Sequence, residues 1–394
     1  MQLLIKNGMI LQQDGTFLKG HIGINNGKIA ALWYGSVPAL GESVAQINAQ
    51  ELLVSPGFID THVHGGNTFS FNFCGDISGW QKMQERLSSI GITSILATGT
   101  SLPINETFNF IDRIKNLAGQ NDVNHVEILG IYMEGPYINI NKMGAHREEY
   151  IRPACKDEIG QILERANGLI KVLALAPEIE ENLAVIKTLT AAGISVSFAH
   201  TDAGYDAALA GFAAGGNRVT HTFNGMPALS HRYEGIVSAA WQYGAFLELI
   251  ADGFHLSPTV MKMLISATDP GKIVLVSDNN EFAGLPDGSY TQGDRKLIVS
   301  QGQIRTEAGR LAGSAAKLNK CALNVTYCGF SAGSALKMAA ENPARSIGVF
   351  DRKGSIAFGK DADIVILDGQ FDVMMTIKSG QIVYSSDRFP SYFS

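Results

Sequence analysis

Eight polar side chains of this sequence fall at the ends of apolar runs, and their types are those that bind transition metals or move protons. His62 and His64 close the first run, Glu134 the third and His200 the fifth. His221 lies in the sixth, the seventh ends at Asp252 and His255, and the eighth ends at Asp278. A His-x-His pair on an extended strand points both imidazoles to one side, because side chains alternate with period two. Imidazole with carboxylate is a borderline ligand set, suited to Zn, Fe, Co or Ni rather than Ca or Mg. Any one of these residues alone reads more readily as a surface or satisfied core histidine, or as a strand-capping acid, than as a ligand. Their joint placement does not, because five of the nine histidines gather at these ends.

The elements that must position them are legible too. The runs span residues 52–64, 92–100, 127–135, 170–178, 194–201, 218–224, 246–255 and 272–279. They are near-continuously apolar, as strands of a parallel sheet buried on both faces must be. Between them lie helical periods: Trp80, Met83, Leu87 and Ile90 stop at Gly91, and Leu183, Ile186 and Leu189 stop before Gly193. Eight βα units over about 300 residues predict an α/β fold of the (β/α)₈ TIM-barrel type, whose strand ends converge on one face where active sites sit. The first fifty and last forty residues are instead rich in short β runs, with Asn7-Gly8 and Asn26-Gly27 as turn signals. These two ends are expected to pair into one small β-sandwich-like domain.

Composition narrows the function class. Of 394 residues, 45% are hydrophobic and 17% charged, and 43 are glycine; the usual charged share is about 25%. The net charge of −6 comes without a basic block, which argues against nucleic acid and anionic membrane as partners. Cys74, Cys155, Cys321 and Cys328 form no CxxC pair, as expected of a reducing compartment. The start MQLLIKNGMI lacks a signal-peptide pattern, and no apolar run approaches the roughly 20 residues of a membrane span. A cytoplasmic location is therefore expected.

The segments PGFIDTHVHGG, MEGPYIN with GAH, HTFNGMPALSHR, ADGFH, AGLPDG after VSD, and LAGS resemble the successive motifs of the N-acetylglucosamine-6-phosphate deacetylases of the amidohydrolase superfamily. The resemblance implies a β domain of residues 1–54 with 354–394, and a barrel of residues 55–353. It implies a metal site of Glu134, His200 and His221. His62 and His64 would add a second ion bridged by Glu134, giving one or two divalent ions per chain. Asp278 takes the place of the acid/base carboxylate, and His255 that of the histidine contacting the scissile amide. Asn224, Gly225 and Arg232 match phosphate contacts, with Arg232 reaching across a homodimer interface. Ala145, His146, Asp252 and the Leu311-Ala312-Gly313 stretch fall among substrate-binding positions.

The implied reaction is hydrolysis of the acetamide of an N-acetylhexosamine 6-phosphate. The alternatives are a cyclic-amide hydrolase, a deaminase or a non-catalytic barrel paralogue. The third strand offers Glu134 where a cyclic-amide hydrolase usually needs a carboxylated lysine. A deaminase would leave Arg232 and Asn224-Gly225 without a phosphate to hold, and a non-catalytic paralogue would have lost ligands. This chain departs from the family pattern at Ser277-Asp278-Asn279, where Thr-Asp-Ala is common, and in the stretch Asn279-Asn280-Glu281-Phe282, which bears on sugar preference. Gly225, where Ala is frequent, reads as benign. His21, His125 and His231 read as surface residues, Cys74 and the Tyr132-Met133 pair as packing, and Asp60 as a structural acid.

Overall fold

The eight apolar runs become eight parallel strands: Phe58–Val63, Ile92–Gly99, Glu127–Glu134, Ile170–Leu175, Ser195–Phe198, Arg218–Val219, Phe246–Leu249 and Ile273–Leu275. In this computed structural model, which describes residues 1–37, 44–73, 77–120, 126–292 and 295–389, each strand pairs with its sequence neighbour. Cys74 and His125 lie outside the described residues. The ring closes between its first and last members through a parallel bridge from Val63 to Asn279. Asp278 N donates to His62 O at 2.9 Å, and His64 N donates to Asn279 O at 2.8 Å. Every residue of Ile92–Gly99 is buried, which is why these strands read as unbroken apolar runs.

Helices cover the outside. Ile77–Ser89 buries Trp80, Met83 and Leu87 toward the barrel, and Glu180–Ala191 does the same with Val185, Ile186 and Leu189. No helix among the described residues is long and apolar enough to cross a membrane.

Two details differ from the sequence reading. The first run is two strands rather than one. Leu53–Pro56 pairs with the terminal strands Leu3–Leu11 and Ile364–Leu367, whereas Phe58–Val63 belongs to the barrel. The switch is at Gly57, where a Cβ would come within 2.4 Å of the Thr93 side chain. The later barrel strands are also shorter than their runs, so His200, His221, Asp252, His255 and Asp278 sit just past the last ladder residue.

Both chain ends build one further sheet. Phe17–Asn25 and Lys28–Trp33 extend it on one side of Leu3–Leu11, and Val373–Lys378 and Gln381–Ser385 on the other. Its apolar cluster, including Ile5, Ile22, Ile364 and Ile377, is separate from the barrel core. After the eighth barrel strand a three-stranded antiparallel sheet, Gly288–Gln292, Arg295–Ser300 and Gln303–Thr306, returns the chain to Ser314, which bridges Asn279.

Candidate active site

Two clusters of buried donors face each other at the carboxyl ends of the strands: His62, His64 and Asp278, and Glu134, His200 and His221. Within each cluster the donor atoms lie within 4.8 Å of one another. The Nε2 atoms of His62 and His64 are 3.1 Å apart, and those of His200 and His221 are 3.2 Å apart. At most one nitrogen of each pair can carry a proton toward its neighbour. Glu134 sits between the clusters, one oxygen 2.9 Å from His221 and 3.3 Å from His200, the other 3.2 Å from His64. The donor types and their convergence fit divalent transition ions. Burial alone would raise the Glu134 carboxyl, but His62 and the neighbouring imidazoles hold it well below the usual range. Burial likewise opposes ionisation of Asp278, and His62 and His64 outweigh it.

Groups behind these residues aim them. His62 Nδ1 donates to Glu248 at 2.9 Å, and the same carboxylate accepts from His221 N at 3.2 Å. Glu248 and its neighbour Arg218, 3.5 Å away, are both fully buried. His200 Nδ1 donates to Lys142 O at 2.7 Å, which leaves Nε2 as the free donor atom. Asp60, fully buried, accepts from His62 N and Ser277 N, both at 3.2 Å, so it ties the first strand to the eighth rather than joining either cluster. Burial pushes its pKa up to about 6. The sequence reading passed over Glu248 and Arg218, although charged residues inside otherwise apolar runs were a usable signal.

The backbone turns sharply at the site. His200, His221 and Asp278 have φ of 43°, 27° and 52°, left-handed values that side chains other than glycine rarely adopt. Gly225 has a role the sequence did not suggest: its φ is 63°, and a Cβ there would lie 2.9 Å from His200 Nδ1.

A cavity of roughly 240 Å³ opens onto the clusters. It is lined by His64, Glu134, His200, His221, Asp278 and His255, and by Ala145, His146, Asn224, Gly225 and Leu311-Ala312-Gly313. His62 lies behind this lining, with none of its surface exposed. Asp252 stands behind His255: its carboxylate pairs with His255 Nδ1 at 2.8 Å and accepts from the backbone of Phe254 and His255. His146 Nδ1 accepts from Ser101 N at 3.1 Å, and burial lowers its pKa to about 4, so the ring stays neutral. Arg232 is exposed and outside the lining. Asn72, Phe73, Thr100, Asn280 and Glu281 also face the cavity. Asn72 and Phe73 come from a loop in which no spacing rule marks them, whereas Thr100 closes the second apolar run.

The amidohydrolase family profile matches residues 53–383. The chain belongs to the amidohydrolase family. Among its relatives, the N-acetylglucosamine-6-phosphate deacetylase of Bacillus subtilis is 34% identical, with 98% of each chain covered. The N-acetylgalactosamine-6-phosphate deacetylase of Escherichia coli O157:H7 is 32% identical, covering 97% of this chain and 99% of the relative. This amidohydrolase also superposes on the crystal structure of the Thermotoga maritima N-acetylglucosamine-6-phosphate deacetylase, with a TM-score of 0.86 and 32% identity over 97% of this chain and 100% of that one.

Proposed function

We propose that this amidohydrolase removes acetate from an N-acetylhexosamine 6-phosphate, N-acetylglucosamine 6-phosphate foremost, leaving the amino sugar phosphate. The observation that carries the reading is Asp278. Its Oδ1 lies 3.4 Å from His62 Nε2 and 3.3 Å from His64 Nε2, on the wall of the same cavity as His255 and Asn224-Gly225.

The two donor clusters support two divalent ions per chain, with Glu134 as the shared carboxylate. Such ions, when bound, supply Lewis acidity and make water ionisable near pH ~7. Asp278, on the cavity wall within 3.4 Å of His62 and His64, takes the proton of the attacking water and returns it to the departing amine nitrogen. The Asp252 carboxylate holds His255 through Nδ1 at 2.8 Å, so the ring faces the cavity where the acetamide is bound. Asn224 and Gly225 cradle the phosphate, where glycine lets the backbone approach closely. Exposed Arg232 supports a two-fold homodimer in which each chain lends a guanidinium to its partner's phosphate site. The free thiols of Cys155, Cys321 and Cys328 support a cytoplasmic location.

The test is acetate release from N-acetylglucosamine and N-acetylgalactosamine, each with and without the 6-phosphate, alongside elemental analysis of bound metal. Turnover confined to the phosphorylated sugars is expected. Release from neither phosphorylated epimer would sink the reading.

A further inference from the structure

Glu281 is the one carboxylate on the cavity wall whose role the two clusters do not explain. It is 7% exposed, it faces the cavity, and its carboxylate has no hydrogen-bond or ion-pair partner among the described residues. Its backbone is held on every side. Thr68 N donates to Glu281 O at 2.7 Å. The Asn280 side chain donates to Ala312 O at 2.7 Å and accepts from Phe282 N at 2.9 Å. Asn279 is bridged to both Val63 and Ser314, and the buried Phe282 stacks on Tyr290. The carboxylate is therefore presented in advance, rather than swung in by a loose loop.

Its place within the cavity is also defined. A Cβ on Gly65 would lie 3.2 Å from Glu281 Cα, which sets Glu281 beside His64, whereas Gly225 packs on His200 at the other side of the clusters. A carboxylate opening onto a cavity loses its water when a ligand fills that cavity, and then needs a hydrogen-bond donor from the ligand. On the deacetylase reading, on which this inference rests, the substrate's phosphate oxygens and carbonyl oxygen are acceptors only. The donors are the amide N–H, which belongs beside Asp278, and the ring hydroxyls. We propose that Glu281 is a specificity-determining residue whose carboxylate accepts a hydrogen bond from a sugar hydroxyl flanking the acetamide-bearing carbon, at C1 or C3. Sugars alkylated at that oxygen are then refused, because an ether oxygen would face the carboxylate with no proton between them.

The test uses kcat and KM of the wild type, Glu281→Gln and Glu281→Ala on N-acetylglucosamine 6-phosphate and on its 1-deoxy and 3-deoxy analogues. Glu281→Ala should lower kcat/KM on the parent sugar about 10- to 100-fold, the range for a hydrogen bond to a charged group, and chiefly through KM. Glu281→Gln, which keeps the shape and guards against a folding defect, should lose less. On the analogue that lacks the partner hydroxyl, wild type and both variants should coincide. An equal loss on all three sugars, or no loss on any, overturns the proposal. A wild type inactive on the parent sugar refutes the deacetylase reading, and this inference with it.

Discussion

His62 Nδ1 lies 2.9 Å from Glu248, a carboxylate with no solvent-exposed surface on the seventh barrel strand. The pair fixes which imidazole nitrogen points at the donor cluster. Glu248→Gln should therefore weaken metal retention about 10- to 100-fold, the usual effect of losing a partner behind a metal ligand. Competition against a graded chelator series reads this directly. Wild-type retention would show that His62 is oriented by packing alone.

Asp278→Asn should keep the fold and the ion held by Glu134, His200 and His221, and lose about 10²- to 10⁴-fold in kcat. Steady-state kinetics with metal content measured on the same sample checks it. Near-normal turnover with metal retained would move the acid/base role to another residue.

Chelation should abolish activity, and divalent transition ions should restore it. Elemental analysis should find two ions per wild-type chain and one in His64→Ala, because only the His62, His64 and Asp278 cluster is broken. One ion in the wild type would reduce the site to a single-metal centre.

What the sequence shows and what it hides divide along physical lines. The His62–His64 pair is legible because strand periodicity alone puts both rings on one side. Glu134, His200 and His221 are legible because they end apolar runs. The pairing of Glu248 with Arg218 is not, since it forms only when the sixth and seventh strands lie side by side. Nor does any run show that its strand stops before its functional residue: Arg218–Val219 ends two residues short of His221, where φ turns positive. The split at Gly57 was hidden because both halves of the run are equally apolar.

Arg232→Ala should weaken the phosphorylated substrate by ~1.5–3 kcal/mol, the range for a charge-assisted hydrogen bond, and leave the unphosphorylated sugar unchanged. Mixed dimers of Arg232→Ala and Asp278→Asn chains should recover one complete site. A fully active monomer in solution would show that Arg232 serves no neighbouring site.

Acid should loosen the joint between barrel and terminal sheet. Lys353, 2% exposed, lies 2.9 Å from Glu127 and 3.1 Å from Asp361, and also pairs with Asp363. Burial opposes ionisation of Glu127, but Arg352 and Lys353 hold its pKa below the usual range. Asp361 is likewise brought down to about 2, as Lys28 and Lys353 outweigh burial. Folded-state values below the unfolded ones mean that this stability is complete above the ordinary carboxylate range, near pH ~4, and is lost as pH falls toward ~2. The melting temperature should fall through that window, and less steeply in Glu127→Gln. Lys353→Met should lower the melting temperature at neutral pH by removing the buried cation that Glu127, Asp361 and Asp363 share, while Arg352, Lys28 and Lys378 still reach them. Equal acid slopes in Glu127→Gln and wild type would place the sensitivity elsewhere.

The left-handed backbone at His200, His221 and Asp278 has an evolutionary consequence. Each such residue stores roughly 1–3 kcal/mol of conformational strain that the rest of the barrel must absorb. Glycine at any of the three would relax the chain and remove the chemistry in the same step. Selection for thermostability alone would thus drift toward a hardier barrel with a dead site, and only continued demand for turnover keeps these side chains where the backbone resists them.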